Sequence, residues 1–237
     1  MKLKNAVVLV TGANRGLGQA FVKALLAAGV KKVYAAARDP ASIALDGVER
    51  VKLDVTNPAE VAHAAKQCGD VTLLINNAGI ARGSSFIAEG GVAAARAELE
   101  TNFFGPLMLS QAFAPVLAAN GGGGIINVLS VLSWLNLAGS ATYCASKAAA
   151  WSLTNGLRGE LAKQGTQVVG LHVGLMDTDM ARRFEGAKAD PHDVVRQTLE
   201  ALEAGRDEVL ADDISRQVKQ GLSAEPGVYL RAPGGPA

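Results

Sequence analysis

Short β-branched runs alternate with longer helical stretches along most of the chain. Within the runs, apolar residues follow one another directly instead of alternating with polar ones, as expected for strands that are covered on both faces. The predicted strands are residues 5–11, 31–37, 48–55, 71–77, 124–130 and 166–173, with a final short strand and a helix within 206–223. Because parallel strands need a crossover connection, this alternation predicts a doubly wound α/β sheet with helices on both faces.

The intervening stretches carry helix signals, such as the Asn-Pro pair at residues 57–58. Helices are predicted to start near Gly18, Pro58, Ala94, Thr142, Asp177 and Pro191. No repeat or low-complexity linker interrupts the alternation, so residues 1–222 are interpreted as a single domain. Residues 223–237 are rich in Pro and Gly and are predicted to form a tail outside the core.

The charge balance favours small molecules as partners. The 237 residues carry a formal net charge of +1, which provides no general field to attract nucleic acid or an anionic membrane. No apolar window reaches the roughly 18 residues of a membrane span, and the apolar run at residues 6–10 is interpreted as a strand, not as part of a signal peptide. We therefore expect a cytoplasmic protein that binds neither nucleic acid nor membrane.

The cysteines and histidines do not indicate a disulfide framework or a metal site. Cys68 and Cys144 are far apart and lack a partner spacing, which is typical of free thiols in a reducing compartment. The three histidines, His63, His172 and His192, form no cluster with ligand spacing. We therefore predict no metal.

A glycine-rich turn follows the first predicted strand, with glycines at positions 12, 16 and 18 in the segment "TGANRGLG". Glycine is suited to a tight turn and to close approach of the backbone to a pyrophosphate, and the free N–H groups at a helix start attract negative charge. Alternatively, the glycines only pack the strand against the helix. The position in the first strand-turn-helix unit of an alternating chain favours dinucleotide binding.

The spacing Gly-x-x-x-Gly-x-Gly, together with six further motifs, resembles the short-chain dehydrogenase/reductase family over nearly the whole chain. The motifs are "TGANRGLG" (11–18), "LDVT" (53–56), "NNAG" (76–79), "TNFFG" (101–105), "INVLS" (126–130), "YCASK" (143–147) and "GLMDTDM" (174–180). Each motif is weak alone, whereas their shared order and spacing are specific. The resemblance implies a Rossmann-like doubly wound parallel sheet of about seven strands.

The resemblance also implies the cofactor contacts. They lie in the glycine turn, at the ends of the second, third, fourth and sixth strands, and on the helix that begins near Thr142. The residues are Gly12, Asn14, Arg15, Gly16, Leu17, Gly18, Arg38, Asp54, Val55, Asn77, Ala78, Gly79, Tyr143, Lys147, Gly174, Met176 and Thr178. The chain departs from the family where Val173 replaces the usual proline before Gly174, which removes a constraint on the backbone.

The end of the second strand favours NADP(H) over NAD(H). Small Ala37 stands where NAD-preferring relatives carry an acid, and Arg38 follows it. The planar guanidinium matches a 2′-phosphate, and Arg15 is a second candidate cation for the same pocket. Alternatively, Arg38 is a solvated arginine paired with Asp39.

Tyr143 and Lys147 are four residues apart on a predicted helix and therefore share one face. A nearby ammonium favours the phenolate and makes the tyrosine a usable proton donor and acceptor. Taken alone, the pair is more typical of a packed tyrosine and a lysine that extends along an apolar helix. Ser130, thirteen residues before Tyr143 and at the end of the fifth predicted strand, favours the catalytic interpretation.

Ser130 is predicted to hydrogen-bond the substrate oxygen, with Ser133 as its competitor, although either serine can instead cap local backbone groups. By resemblance, Asn102 is the fourth catalytic residue and holds a water beside Lys147; alternatively, it satisfies an irregularity in its helix. The predicted reaction is reversible reduction of a ketone or aldehyde, in which Tyr143 is the general acid and base. An apolar lining indicates a hydrophobic substrate and is predicted from Leu132, Trp134, Leu135, Leu137, Ala138, Met180 and Phe184. Alternatively, Trp134 and Phe184 are core or interface residues.

Other functions fit parts of this pattern. A non-catalytic NADP(H)-binding redox sensor needs the glycine turn and Arg38 but not the three reacting residues together. A nucleotide-sugar enzyme of the extended branch usually has a substantial C-terminal substrate domain, which the residues after the sixth strand are too few to form. By resemblance, we expect a homodimer through the helices that start near Ala94 and Thr142, or a homotetramer.

Overall fold

The computed structural model of the protein describes residues 1–182 and 184–230. Seven parallel strands form one sheet in the order β3-β2-β1-β4-β5-β6-β7. The strands are β1 Val7–Thr11, β2 Lys32–Ala37, β3 Glu49–Lys52, β4 Leu73–Asn76, β5 Gly124–Val128, β6 Gln167–His172 and β7 Glu208–Leu210. The strand order changes direction between β1 and β4, and ligands of such sheets bind at the carboxyl ends of the strands beside this point. The predicted doubly wound parallel sheet is confirmed.

Helices cover both faces of the sheet. They are α1 Gly16–Ala27, α2 Pro58–Gln67, α3 Gly91–Leu99, α4 Gly105–Ala119, α5 Ala141–Glu160, α6 Pro191–Glu203 and α7 Asp213–Gly221. The predicted Asn-Pro start of α2 is confirmed, because the Asn57 side chain accepts from the backbone N–H groups of Ala59 and Glu60. Pro58 then occupies the first helical turn, where a missing N–H costs nothing.

The central strand β1 packs against both helix layers because successive side chains point to opposite faces. Val8 and Val10 belong to the cluster that α1 and α6 cover, whereas Val7 and Leu9 belong to the cluster under α2, α4 and α5. Leu9 is completely buried, and burial of such a side chain contributes about 1.5–3 kcal/mol. The continuous apolar run of β1 therefore packs against helices on both faces of the sheet.

A π-helical turn at Glu100–Phe104 joins α3 to α4, so residues 91–119 form one long helical stretch. By length and composition, this is the one helix in the described part of the chain that is apolar enough to cross a membrane, which corrects the expectation that no such window exists. In the fold, Leu109, Phe113 and Leu117 pack it against the sheet.

The helix predicted near Asp177 is wrong. Only a single 3-10 turn forms there, at Asp179–Ala181. The backbone N–H of Asp177 donates to the carbonyl of Ala189, and Ala189 N–H donates to the carbonyl of Leu175. These bonds hold the segment in an extended bridge between Met176 and Ala189, a backbone conformation that is incompatible with a helix at the same residues.

The predicted tail is described as far as residue 230. Tyr229 and Leu230 are exposed, whereas Val228 packs against a small cluster that contains Val218 of α7. The rest of the predicted tail, residues 231–237, lies outside the described residues. The predicted free cysteines are confirmed, and both are buried.

Candidate active site

The glycine turn connects β1 to α1 at the carboxyl edge of the sheet. Gly12 and Gly16 have φ values of +63° and +52°, a region that favours glycine. A Cβ on Gly18 would lie 2.1 Å from the carbonyl oxygen of Gly12, and one on Gly12 would lie 3.0 Å from Cα of Ala78. The packing interpretation of the glycines is therefore correct for Gly12 and Gly18, and it is compatible with ligand binding at the same turn.

The start of α1 fits an anionic group. Arg15 occupies the position before the helix in extended conformation, and in the described part of the chain no side chain caps the first turn. The N–H groups of that turn therefore remain available to a phosphate. Leu17 differs from the other predicted contacts of the turn because its side chain is buried in the core under α1.

Thr11 fastens the glycine turn to the segment after β4. Its hydroxyl oxygen accepts from the backbone N–H groups of Asn77 and Ala78, each at 3.0 Å. The Asn77 side chain returns a bond to the carbonyl oxygen of Thr11 at 2.8 Å. Thr11 was not predicted as a site residue, and its one signal in the sequence is its position directly before Gly12.

After β3, the Asp54 carboxylate accepts from the backbone N–H and the hydroxyl of Thr56, at 2.9 and 2.7 Å. Burial opposes ionisation of Asp54, but these two bonds, with a contribution from the charge of Arg38, hold its pKa below the ordinary value. The Asp39 carboxylate accepts from Ala41 N–H, and within the described ranges Arg38 has no ion pair. The predicted alternative, an Arg38–Asp39 pair, is therefore not found.

Arg15, the second candidate cation, lies beside an acidic residue. Its guanidinium is 3.8 Å from the Asp179 carboxylate, and both side chains are largely exposed, so its role toward the 2′-phosphate stays a prediction. Such an exposed pair contributes little to stability. Thr178 borders the same turn, since a Cβ on Gly16 would lie 3.5 Å from its methyl carbon.

Tyr143 and Lys147 lie on one face of α5, as the spacing predicts. The Lys147 Nζ is 5.7 Å from the centroid of the Tyr143 ring and donates to the carbonyl oxygen of Val128 at 2.8 Å. Lys147 is 6% exposed, and burial lowers its pKa to about 8. At neutral pH most of this lysine is therefore still charged.

The Tyr143 phenol is held as an acid at neutral pH. Burial raises its pKa well above the ordinary value, and a hydrogen bond with the Ser130 side chain opposes that rise. The negative charge of Glu98 acts in the same direction as burial. A nearby oxygen that gains negative charge can therefore receive this proton.

Ser130 and Ser133 have different positions in one short turn that follows β5. The Ser130 hydroxyl oxygen accepts from Leu132 N–H at 3.1 Å, and the Ser133 hydroxyl oxygen accepts from Ser130 N–H at 3.3 Å. Both serines therefore cap local backbone groups, as the alternative interpretation predicted. Ser130 in addition acts on Tyr143, because a hydrogen bond with its side chain opposes the rise in the pKa of the phenol.

Asn102 sits in the π-helical turn and holds the segment after β4. Its Oδ1 accepts from Ile80 N–H, and its Nδ2 donates to the Ile80 carbonyl and to the Ser146 hydroxyl, all at 2.9 Å. A Cβ on Gly79 would lie 3.2 Å from this Oδ1 and 3.9 Å from the Nζ of Lys147. The helix irregularity is therefore present, and the water-holding role stays a prediction.

Glu98, one turn before Asn102, holds the next part of the same segment. One carboxylate oxygen accepts from the backbone N–H groups of Arg82 and Gly83 at 2.7 and 3.4 Å. The other oxygen is buried, without a hydrogen bond from the described residues. The sequence analysis missed Glu98, because a glutamate in a helix is usually exposed.

The segment at Gly174, which lacks the family proline, is fixed by other contacts. Its N–H donates to the carboxylate of Asp212 at 2.7 Å, and the carbonyl of Val173 accepts from Val131 N–H at 3.0 Å. A Cβ on Gly174 would lie 2.7 Å from a methyl carbon of Ile214. The bond to Asp212 thus restricts the backbone at Gly174, where the proline that Val173 replaces would otherwise restrict it.

Trp134, predicted to line the substrate pocket, instead packs in the protein interior. It is 8% exposed, stacks on His172 with 3.9 Å between ring centroids, and meets Trp151 edge to face. Leu132 and Leu135 pack partly against the same cluster. Met180, by contrast, is 47% exposed and remains available to a ligand.

In the described residues, no group of three or more His, Cys, Asp or Glu side chains is arranged to hold a metal ion. The candidate site brings together the Tyr143 phenol, hydrogen-bonding groups and a glycine turn whose N–H groups are uncapped.

The chain is similar to known proteins in both sequence and structure. The family model described as short chain dehydrogenase matches residues 6–189. An uncharacterized oxidoreductase of Staphylococcus saprophyticus is 34% identical over 220 residues, which cover 86% of this chain and 93% of the relative.

Two solved structures are similar over most of the chain. One is a short chain dehydrogenase from Burkholderia cenocepacia in complex with NADP, with a TM-score of 0.91 and 42% identity over 95% of this chain and 96% of that chain. The other is an NADPH-bound carbonyl reductase from chicken fatty liver, with a TM-score of 0.76 and 31% identity over 85% of this chain and 92% of that chain.

Proposed function

Since the chain belongs to the short-chain dehydrogenase/reductase family of oxidoreductases, we propose that it reversibly reduces a hydrophobic ketone or aldehyde with NADPH. The observation that carries the proposal is the interaction of the half-buried Tyr143 phenol with Ser130, with Lys147 one helical turn away. These three residues meet at the carboxyl ends of the strands, where the glycine turn also lies.

The residues fit a phosphorylated dinucleotide. The free N–H groups at the uncapped start of α1 would donate to the diphosphate, and the exposed Arg38 guanidinium would donate to the 2′-phosphate. Lys147 would hold the ribose next to the nicotinamide, and the Gly174–Thr178 segment would hold the carboxamide. When bound, NADPH supplies the hydride that forms the new bond to the carbonyl carbon.

The protein supplies the proton and positions the carbonyl oxygen of the substrate. Ser130 donates its hydroxyl proton to the carbonyl oxygen in a hydrogen bond, which stabilises the negative charge that develops there. Tyr143 transfers its phenolic proton to the same oxygen, so the product is an alcohol. The charge of Lys147 stabilises the phenolate that remains, and a proton from solvent restores the phenol. In the oxidative direction the Tyr143 phenolate removes the proton from the hydroxyl group of the alcohol.

The substrate class follows from the side chains near these groups. Leu137, Ala138 and Met180 are apolar and at least partly exposed, and Phe184 follows in the same segment as Met180. Such a surface suits an apolar or aromatic carbonyl compound. The supporting comparison is the chicken carbonyl reductase, which is similar in fold and was solved with NADPH.

We expect the protein to form a homodimer or homotetramer. Phe86, Ile87, Val92 and Phe104 are exposed apolar residues around α3 and the π turn, and Ile87 is 97% exposed. Large apolar side chains exposed along one stretch of the chain support a protein interface there. Light scattering of the purified protein measures the state directly.

The test is a panel of ketones and aldehydes with NADPH and NADH, followed by loss of absorbance of the reduced cofactor. We expect turnover of apolar carbonyl compounds with NADPH. Tight NADPH binding without turnover of any member of the panel would contradict the enzyme and support the redox sensor.

A further inference from the structure

A buried histidine lies directly behind the turn that carries Ser130. His172, the last residue of β6, is 1% exposed, and its Nδ1 is 3.1 Å from the carbonyl oxygen of Ser130. Its other nitrogen, Nε2, is 3.8 Å from the carboxylate of Glu208 on β7. The imidazole therefore links the end of β7 to the residue that is proposed to hold the substrate oxygen.

The geometry determines which ring nitrogen carries the proton. A carbonyl oxygen can only accept a hydrogen bond, so Nδ1 must donate to Ser130. Burial lowers the pKa of His172 to about 4, so the ring is neutral at physiological pH and Nε2 carries no proton. Glu208 does not need that proton, because it accepts from Lys219 Nζ at 2.8 Å.

Packing fixes the plane of the imidazole. The Trp134 ring stacks on it at 3.9 Å with an interplanar angle of 18°. The Lys219 ammonium lies 5.1 Å from the Trp134 ring centroid, so the tryptophan is held by α7 as well. An imidazole held by this packing has little freedom to move away from Ser130.

We propose that His172 is a positioning residue, whose Nδ1–H bond to the Ser130 carbonyl aims the Ser130 hydroxyl at the substrate oxygen. The inference rests on the proposed function of the same site. A displacement of the turn by about 1 Å can lower the reaction rate about a hundredfold. Loss of the single hydrogen bond from His172 to the Ser130 carbonyl can therefore lower kcat. His172 itself touches neither substrate nor cofactor in this account.

The test uses two substitutions that remove the same ring. In His172→Asn the side-chain amide can place a donor near the position of Nδ1, whereas in His172→Gln the longer chain places it near Nε2. We expect H172N to retain kcat within about threefold and H172Q to lose about tenfold to a hundredfold, with the KM for NADPH unchanged in both. Equal kcat values for the two variants, at wild-type level or equally reduced, would overturn the proposal.

A second measurement does not depend on turnover or on folding of the variants. A correlation spectrum of the ring 15N nuclei in the wild-type protein reports the tautomer of each histidine. We expect a neutral Nδ1–H imidazole for His172, and an Nε2–H tautomer would overturn the proposal. Absence of turnover in the wild-type protein would contradict the proposed function, whereas this spectrum would still decide the contact with Ser130.

Discussion

Lys147 donates to the carbonyl oxygen of Val128 at 2.8 Å, so the helix that carries Tyr143 is tied to the strand that leads to Ser130. The two proposed reacting groups come from different elements, β5 and α5, and this bond is one of the contacts that fix their separation. A lysine that is buried with a backbone carbonyl as partner, and without a carboxylate, loses its proton more easily than a surface lysine.

The first prediction concerns the pH dependence of reduction. Burial lowers the pKa of Lys147 to about 8, so its charge is present below that pH and is lost above it. Because the charge stabilises the phenolate that forms when Tyr143 gives up its proton, we expect kcat for reduction to be level below pH 8 and to fall above it. Arginine stays charged, so K147R should lack this inflection if it retains activity. An unchanged inflection in K147R would assign the pH dependence to another group.

The second prediction concerns cofactor choice. Arg38→Asp should lower kcat/KM for NADPH about 10- to 100-fold and leave or improve that for NADH, because a charge-assisted bond to the 2′-phosphate is replaced by repulsion. Arg15→Asp makes the same charge change at the second candidate cation, and we expect a smaller loss there because Arg15 already lies beside Asp179. Steady-state kinetics with both cofactors measures the ratio. An NADPH preference that survives in R38D would remove Arg38 from the proposal.

The third prediction concerns the buried carboxylate of Glu98. Glu98→Ala leaves the N–H groups of Arg82 and Gly83 without their acceptor, so the unfolding free energy should fall by about 1–3 kcal/mol. Glu98→Gln keeps one acceptor oxygen and should retain most of the unfolding free energy. Equal losses of unfolding free energy in E98A and E98Q would show that the negative charge of Glu98, and not its acceptor oxygen, stabilises the segment.

The fourth prediction concerns acid stability. His172 has a folded pKa of about 4 against an ordinary value of 6.5, so between these values the unfolded chain binds more protons than the folded one. The contribution of His172 to stability is therefore complete above pH 6.5 and is lost as the pH falls towards 4. The shift corresponds to about 3 kcal/mol. Urea unfolding of wild type and H172N from pH 4 to 7 checks this, and parallel pH curves for the two proteins would contradict it.

Much of the fold was predictable because it depends on local patterns. The continuous apolar runs predicted the strands, and the glycine turn predicted the point at which β1 enters α1. The helix predicted near Asp177 does not form, because Leu175 and Asp177 bond across a loop to the backbone of Ala189. No local sequence pattern reveals this contact.

The site was predictable only in part. The spacing of Tyr143 and Lys147 and the position of Ser130 identified residues that the fold brings together. Glu98 and Asp212 were missed because each acts on backbone groups far away in the chain, as in the bond between Asp212 and Gly174. The side chain types alone give no sign of such partners.

The central claim is that the Tyr143 phenol supplies the proton, and Tyr143→Phe tests it most directly because it removes one oxygen from the site. Tyr229→Phe is the matched control, since Tyr229 is 56% exposed. With the best carbonyl substrate and NADPH, Y143F should lose about 10²- to 10⁴-fold in kcat while its Kd for NADPH stays near the wild-type value, and Y229F should match wild type. Turnover by Y143F at the wild-type rate would contradict the account.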